Sequence, residues 1–322
     1  MRIKKYNLKK RIRNHALVTT LEGWSKRYSP PGFSGITLYE TISFVLKEVQ
    51  KDNLTTRANS ISFSLFLSIF PAIIFLFTLL PLIPVVQNYT EMLSVQLDGV
   101  IPKSAHDYIF SIIYDITSIK RDGLLSVGAI LALFFSSNGM VTLMSGFDKA
   151  YNETFSDRPW WKTRIIAIGL TLVLSILLIV SLIFMVVEGK VMDYLQFEYH
   201  ISSWILSLVS VFNWCFSVFL VYTGISLIYT IGPSMHRRIN FINIGSMTAT
   251  FLSLLTSLGF SYFINNFSRY NEVYGSIGAL IVIMIWIQFN SFIILVGFEL
   301  NASLAIQKTL KYKERLKNLG IV

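Results

Sequence analysis

One carboxylic acid, Glu299, lies inside an apolar run from Tyr274 to Ile306 that also holds Gln288, Asn290 and Asn301. Ionisable and amide groups are costly in hydrocarbon, so an acid there is a candidate for proton or ion coupling, or for gating a polar cleft. The structural alternative is a salt bridge, since an enclosed charge is normally paired. Arg57, at the entry to the first apolar run, stands at the matching depth. On a helix advancing about 100° per residue, Gln288 aligns with Glu299, while Asn290 aligns with Asn301 on nearly the opposite side. A helix polar on two sides is expected to have protein on both, which predicts a central position for this last run.

The second constellation is basic. Arg158, Lys162 and Arg164 flank Trp160 and Trp161 in SDRPWWKTR, and Arg237 and Arg238 follow the turn at Gly232 and Pro233. Arginine forks match phosphate oxygens and tryptophan favours the headgroup zone, so these bases, with Arg57, form a candidate site for an anionic lipid head group. Topology alone also gathers bases on one side of a membrane. Asn138, in the SSNG of the second apolar run, joins Gln288, Asn290, Glu299 and Asn301 as a candidate polar path. Pro71 adds a kink that would let such a path open.

Conventional catalysis has no comparable signal. His15, His106, His200 and His236 are scattered, and no HExxH, paired CxxC, P-loop or Gly-x-Ser-x-Gly occurs. No catalytic residue, metal site or cofactor is assigned, and the expectation is a protein that is not an enzyme. Cys215 is the one cysteine, which leaves no intrachain disulfide.

The elements that must position these residues are membrane-spanning. The 322 residues are 53% hydrophobic and 14% charged, too apolar for a soluble domain of this length. Apolar runs at roughly 59–86, 124–147, 165–187, 204–231, 241–264 and 276–306 predict six spans of an all-α bundle. In the first, Ser60, Ser64 and Ser68 make one small polar face suited to close helix packing, with Ser64 and Ser68 near backbone groups freed by Pro71. In the second, Asn138 needs a hydrogen-bond partner and Gly139 permits close approach.

Outside the spans, Leu38, Ile42, Val45, Leu46 and Val49 recur at helical spacing and predict an amphipathic helix along the membrane surface. Two further short amphipathic helices are expected on the outer side between 87 and 123, one of them striped by Ile109, Ile112, Ile113, Ile116 and Ile119. The chain thus divides into a basic segment with an interfacial helix (1–57), the transmembrane domain (58–306) and a basic tail (307–322).

Charge sets the orientation. Twelve Lys or Arg precede Ala58, and others cluster at Lys149, Arg158, Lys162 and Arg164, at Arg237 and Arg238, and after Ile306. The remaining connections carry few bases among acids such as Asp98, Asp107, Asp115 and Glu198. By the positive-inside rule both termini are cytoplasmic, which requires an even number of spans. This distribution also assigns the net charge of +10 to membrane topology and not to nucleic acid.

Four stretches together carry a resemblance: RANSISFSLFLSIFPAII, AYNE followed by RPWWKTR, IYTIGPSMHRR leading to IGSMTAT, and YGSIGALIVIMIWIQFNSFIILVGFELNASL. The chain resembles the YihY/BrkB family of bacterial inner-membrane proteins over most of residues 36–306. The resemblance implies a six-span protein of the cytoplasmic membrane without a settled biochemical activity, with envelope roles such as lipid or lipid-linked glycan movement proposed for relatives. Its recurring residues match at Arg57, Ser68, Pro71, Asn152, Arg158, Pro233, Tyr274, Gly275, Glu299 and Asn301. In the first span, serines and Asn59 replace much of the family's alanine. A ribonuclease label has travelled with the family, and the residues here supply no metal-ligand cluster or soluble catalytic domain for it.

The resulting expectation is a transport-class protein of envelope biogenesis that helps anionic lipids or lipid-linked precursors cross or leave the membrane. Its expected partners are anionic lipids and envelope proteins. The alternatives are an assembly scaffold and an enzyme embedded in the membrane that acts on lipid head groups.

Overall fold

Breaker residues and polar connections divide the chain into long helices, and the computed structural model describes residues 23–29, 36–37, 39–43, 45, 54–79, 122–148, 151, 153–197, 203–266 and 268–319. The long helices among these are α1 (Leu54–Leu79), α2 (Asp122–Ser145), α3 (Trp160–Phe197), α4 (Ser203–Ile231), α5 (Ile244–Asn266) and α6 (Ser268–Asn318). All six are long and apolar enough to cross a membrane. The protein is an all-α, multi-pass membrane protein, and the one β-bridge among the described residues joins Phe155 to Met235. The basic run 1–22, the expected outer helices between 87 and 121, and Asn152 fall outside the described residues.

Local chemistry explains the helix ends. Pro159 precedes α3 and Gly232 with Pro233 follows α4, the two sides of a helix on which such residues are tolerated. Asn243 caps α5: its side-chain oxygen accepts from the Ser246 amide at 2.7 Å. Thr37 and Glu40 form a capping box, Glu40 accepting from the Thr37 amide at 3.0 Å while Thr37 accepts from the Glu40 amide at 3.2 Å. The segment they open is helical at 39–43 and 45; of the expected stripe it buries Val45, together with Thr41, and leaves Ile42 44% exposed, while Leu38, Leu46 and Val49 fall outside the described residues.

The sixth helix runs unbroken for 51 residues, past the apolar run and through the basic tail. Its tail sequence, QKTLKYKERLKN, consists largely of good helix formers, so no boundary falls at residue 306. Pro71 likewise fails to end α1, which continues to Leu79.

At one end of the bundle α1, α3 and α5 begin and α2 and α4 finish. Ile36 packs with Leu304 and Ile244 there, so the described segment around Ile36 and the last part of α6 belong to this end, hereafter the terminal end. Each helix packs chiefly on its chain neighbours, and α6 returns to α1 to close a ring. The ring is filled near the terminal end by Leu143, Phe147, Tyr229, Leu295 and Phe298. Farther out, Leu208, Val211 and Phe212 of α4 and Ile283, Ile285 and Phe289 of α6 are exposed, as lipid-facing residues are.

The central position expected for the last run therefore needs correcting. From 291 to 306 α6 is enclosed, whereas over 280–289 one of its sides is open. The amides in the open stretch do not need enclosure. Gln288 donates to Asn59 of α1 at 2.7 Å, and Asn290 donates to the Trp286 carbonyl of its own helix at 2.9 Å.

One close crossing joins α1 and α2. A Cβ on Gly139 would stand 2.8 Å from the Leu65 side chain and 3.1 Å from the Leu65 backbone, so α2 meets α1 only because that atom is missing. The Gly139 amide also donates to Ser68 at 2.8 Å. The Ser68 hydroxyl in turn donates to the Ser64 carbonyl at 2.8 Å, so it serves the helix crossing and not the Leu67 carbonyl freed by Pro71.

Candidate functional site

The connections α2–α3 and α4–α5, both rich in bases, are joined at the terminal end. The Ser156 amide donates to the Ser234 carbonyl at 2.9 Å, the His236 amide to the Thr154 carbonyl at 3.1 Å, and the Ser234 hydroxyl to the Ser156 carbonyl at 2.5 Å. Arg158 completes the junction, donating to the carbonyls of Gly232 at 3.1 Å and Pro233 at 2.9 Å. These carbonyls follow the last turn of α4, where the helix dipole favours a cation. Arg57 acts similarly at the end of α2, donating to the Gly146 carbonyl at 3.5 Å.

Arg158 and Arg57 thus sit on helix-end carbonyls. Asp148 lies between them electrostatically, and the protein packed around it raises its carboxyl above its ordinary value, although both arginines pull the other way. Solvent still reaches this side chain. Burial likewise lowers the Arg158 guanidinium from its usual value, opposed by Asp148 and aided by Arg238.

Arg164 occupies a separate place. One turn into α3, it donates to Ser137 at 3.1 Å and Asn138 at 2.7 Å on α2, and its guanidinium lies 4.5 Å from the centre of the Phe134 ring. Asn138 has the partner its location demanded. Beside it Lys162 lies over the Trp161 ring, and Trp160, 79% exposed, extends outward with Trp161. Arg237 and Arg238 are exposed on the α4–α5 connection. The six bases expected around one head group therefore separate: Arg57 and Arg158 brace helix ends, Arg164 bridges α2 and α3, and Lys162, Arg237 and Arg238 face outward. Tertiary pairing of the loops, which sequence spacing does not encode, accounts for this division.

The expected polar path is also divided among neighbours. Gln288 bonds to α1, Asn138 to α3, and Asn301 to the start of α5. Asn301 donates to Asn243 at 2.7 Å and accepts from the Gly245 amide at 3.1 Å. Glu299, only 1% exposed, is enclosed one turn beyond Leu295, whose side chain abuts Gly146, the residue that Arg57 bonds. These contacts bring Arg57 and Glu299 to one region of the bundle. Asn59 and Asn243 were missed as partners. Asn243, immediately before an apolar helix with Ser246 three residues on, carried a legible N-cap signal.

Two cavities open at the terminal end. One, of about 350 Å³, lies between residues 39–43 and the α6 tail, beside the Lys311–Glu40 salt bridge of 3.5 Å. The other, of about 230 Å³, is walled by Ser145, Asp148, Ser156, Asp157, Arg158 and Thr163 among others. Glu299 lines neither. Among the described residues no group of three or more His, Cys, Asp or Glu side chains is placed to hold a metal ion.

A ring of apolar helices with polar junctions gathered at one end defines a multi-pass membrane protein. The family described as virulence factor BrkB matches residues 45–319, and the chain belongs to that family. It is similar to the ribonuclease-like protein YfkH of Bacillus subtilis, with 30% identity over 79% of this chain and 91% of the relative. It is also similar to UPF0761 membrane proteins of Psychromonas ingrahamii, 24% identical over 86% of this chain and 90% of the relative, and of Aliivibrio fischeri, 25% identical over 81% and 82%. No solved structure matches.

Proposed function

We propose that this protein holds anionic lipid head groups at its terminal end and helps anionic lipids or lipid-linked precursors move within or out of the bacterial inner membrane during envelope biogenesis. The observation that carries the reading is Arg164. Its NH1 nitrogen is fixed by Ser137 and Asn138 and its guanidinium carbon lies 4.5 Å from the centre of the Phe134 ring, which leaves further guanidinium donors beside exposed Trp160 and Trp161. A guanidinium held in this way, one turn inside a span, suits a phosphate at the headgroup level. Lys162, Arg237 and Arg238 are exposed and add positive charge to the terminal end. The excess of Lys and Arg at this end supports cytoplasmic termini.

In this reading the protein is not an enzyme, and the ribonuclease-like name of the Bacillus relative is not carried over. The test is reconstitution in liposomes with labelled phosphatidylglycerol, labelled phosphatidylcholine and labelled lipid-linked sugars. Wild type is expected to speed equilibration of the anionic lipids, and Arg164→Gln to slow it several-fold. A flat time course for every lipid, with folded protein, sinks the transport reading. An assembly scaffold is the second reading, favoured by the way Asn138, Gln288 and Asn301 each tie one helix to another.

A further inference from the structure

Glu299, Ser303 and Gln307 follow one another at four-residue intervals on α6, so they occupy successive turns along one side of the helix over about 12 Å. Glu299 is 1% exposed and Ser303 has no solvent exposure. Gln307 reaches the cavity of about 350 Å³, whose wall also carries Tyr39 and Ser43 on one side and Leu310 of α6 on the other. The column therefore runs from the cavity wall inward to the acid, beside Leu304, on which Ile36 packs.

Two groups in this column lack a protein partner. The Ser303 hydroxyl and the Gln307 amide nitrogen are buried and make no hydrogen bond among the described residues. A serine inside a helix commonly donates to the carbonyl four residues back, as Ser68 does to Ser64. Ser303 does not donate to the Glu299 carbonyl in this way. Buried polar groups left without partners are costly, and ordered water is their usual partner where a polar site adjoins solvent.

We propose that the cavity of about 350 Å³ is the mouth of a water-filled inlet that continues past Gln307 and Ser303 to Glu299 and gives the acid contact with water, and so with protons, from the terminal end. The amide and the hydroxyl can each donate and accept, so they can anchor successive waters of a hydrogen-bonded chain. Charged groups on the elements around it are Arg57 of α1, at the Gly146 carbonyl, and Glu40, Lys311 and Glu314 at the mouth. The inlet is separate from the phosphate site at Arg164, which lies between α2 and α3, and its test does not measure lipid movement.

Single thiols are placed in full-length protein in which Cys215→Ser removes the native one. Silver ion, a cation small enough to follow water, is added in detergent, and thiols left unreacted are counted with a maleimide after unfolding. Ser303→Cys is expected to react at least about tenfold faster than Ala302→Cys, its neighbour in the apolar core, because a thiol buried in apolar surroundings is inert. Leu310→Trp, at the cavity wall, should slow the Ser303→Cys reaction severalfold. Hydroxyl-radical footprinting of the unsubstituted protein depends on no variant folding. Leu304, 7% exposed and next to Ser303, should be oxidised severalfold faster than Ile293, 8% exposed on the same helix. Equal thiol rates at positions 302 and 303 in folded protein, a rate undiminished by Leu310→Trp, or equal oxidation of Leu304 and Ile293 overturns the proposal.

Discussion

Tyr229 of α4 donates its hydroxyl to the backbone carbonyl of Ile294 in α6 at 2.6 Å, and it does so from a site with no solvent exposure. The bond crosses the ring where α6 also meets α5. A Cβ on Gly297 would stand 2.5 Å from that hydroxyl and 2.8 Å from the Gly245 carbonyl. On the facing helix, a Cβ on Gly245 would stand 2.2 Å from the Gly297 carbonyl. Two bare backbones and one phenol therefore set the separation of three helices.

Gly245→Ala is expected to destabilise the protein by about 2 kcal/mol or more, because the atom in the way is backbone and cannot rotate aside. Tyr229→Phe removes one hydrogen bond and nothing else, and about 1 kcal/mol is expected. Thermal unfolding of purified protein in detergent checks the order. A Gly245→Ala variant as stable as Tyr229→Phe would show that α5 moves away from α6 without loss.

The junction of the loops depends on a fork. Arg158→Lys keeps the charge but cannot donate to the Gly232 and Pro233 carbonyls from a planar group, so Lys is expected to rescue little over Gln. Both variants should open the α2–α3 and α4–α5 connections to limited proteolysis and cost about 1.5–3 kcal/mol. Cleavage rates like those of wild type would assign the junction to the backbone bonds of Ser156 and His236 alone.

The bundle itself was legible because hydrocarbon imposes long apolar runs, and each of the six expected spans coincides with a long helix. Boundaries were less so: α1 begins at Leu54, not at Asn59, because Arg57 reaches the Gly146 carbonyl and tolerates a place inside the helix. Gly139 was legible as a close crossing, since a glycine in a span has few other uses. The division of the bases was not. Arg158 bonds residues 74 and 75 positions away, and Arg164 bonds across to α2, relationships without any periodic signature. Of the residues in the two expected stripes on α6, Gln288 turns to α1 and Asn301 to the start of α5. Their partners, Asn59 in α1 and Asn243 at the cap of α5, lie on different elements, and this turns an expected path into separate ties.

Asp148 gives a pH dependence with a definite sign. Its folded-state carboxyl titrates above the ordinary value of 3.8, with burial opposed by Arg158 and Arg57 and reinforced by Asp157. A raised group contributes stability that is fully present below the unfolded value and is lost as pH rises through the folded one. Asp148→Asn is therefore expected to unfold at a higher temperature than wild type at neutral pH, with the gap closing on acidification toward 3.8. Thermal melts across that window decide it, and a gap that widens on acidification would reverse the assignment.

Glu299 and Arg57 are expected to be energetically coupled. Glu299 is 1% exposed, its helix neighbour Leu295 packs at Gly146, and Gly146 accepts from Arg57, which puts the two residues in one region at the end of α2. Removing either charge leaves the other in a site where an uncompensated ion is costly, and each single variant, Arg57→Gln or Glu299→Gln, should lose about 3 kcal/mol. Removing both leaves neutral amides in the same space, so the double variant should lose clearly less than the sum. A coupling above about 1 kcal/mol in the four-protein cycle, measured by unfolding in detergent, is the expected result. Strict additivity would detach Glu299 from Arg57 and return the acid to the candidates for a role in transport, where Glu299→Gln should then abolish lipid movement while leaving the melting temperature nearly unchanged.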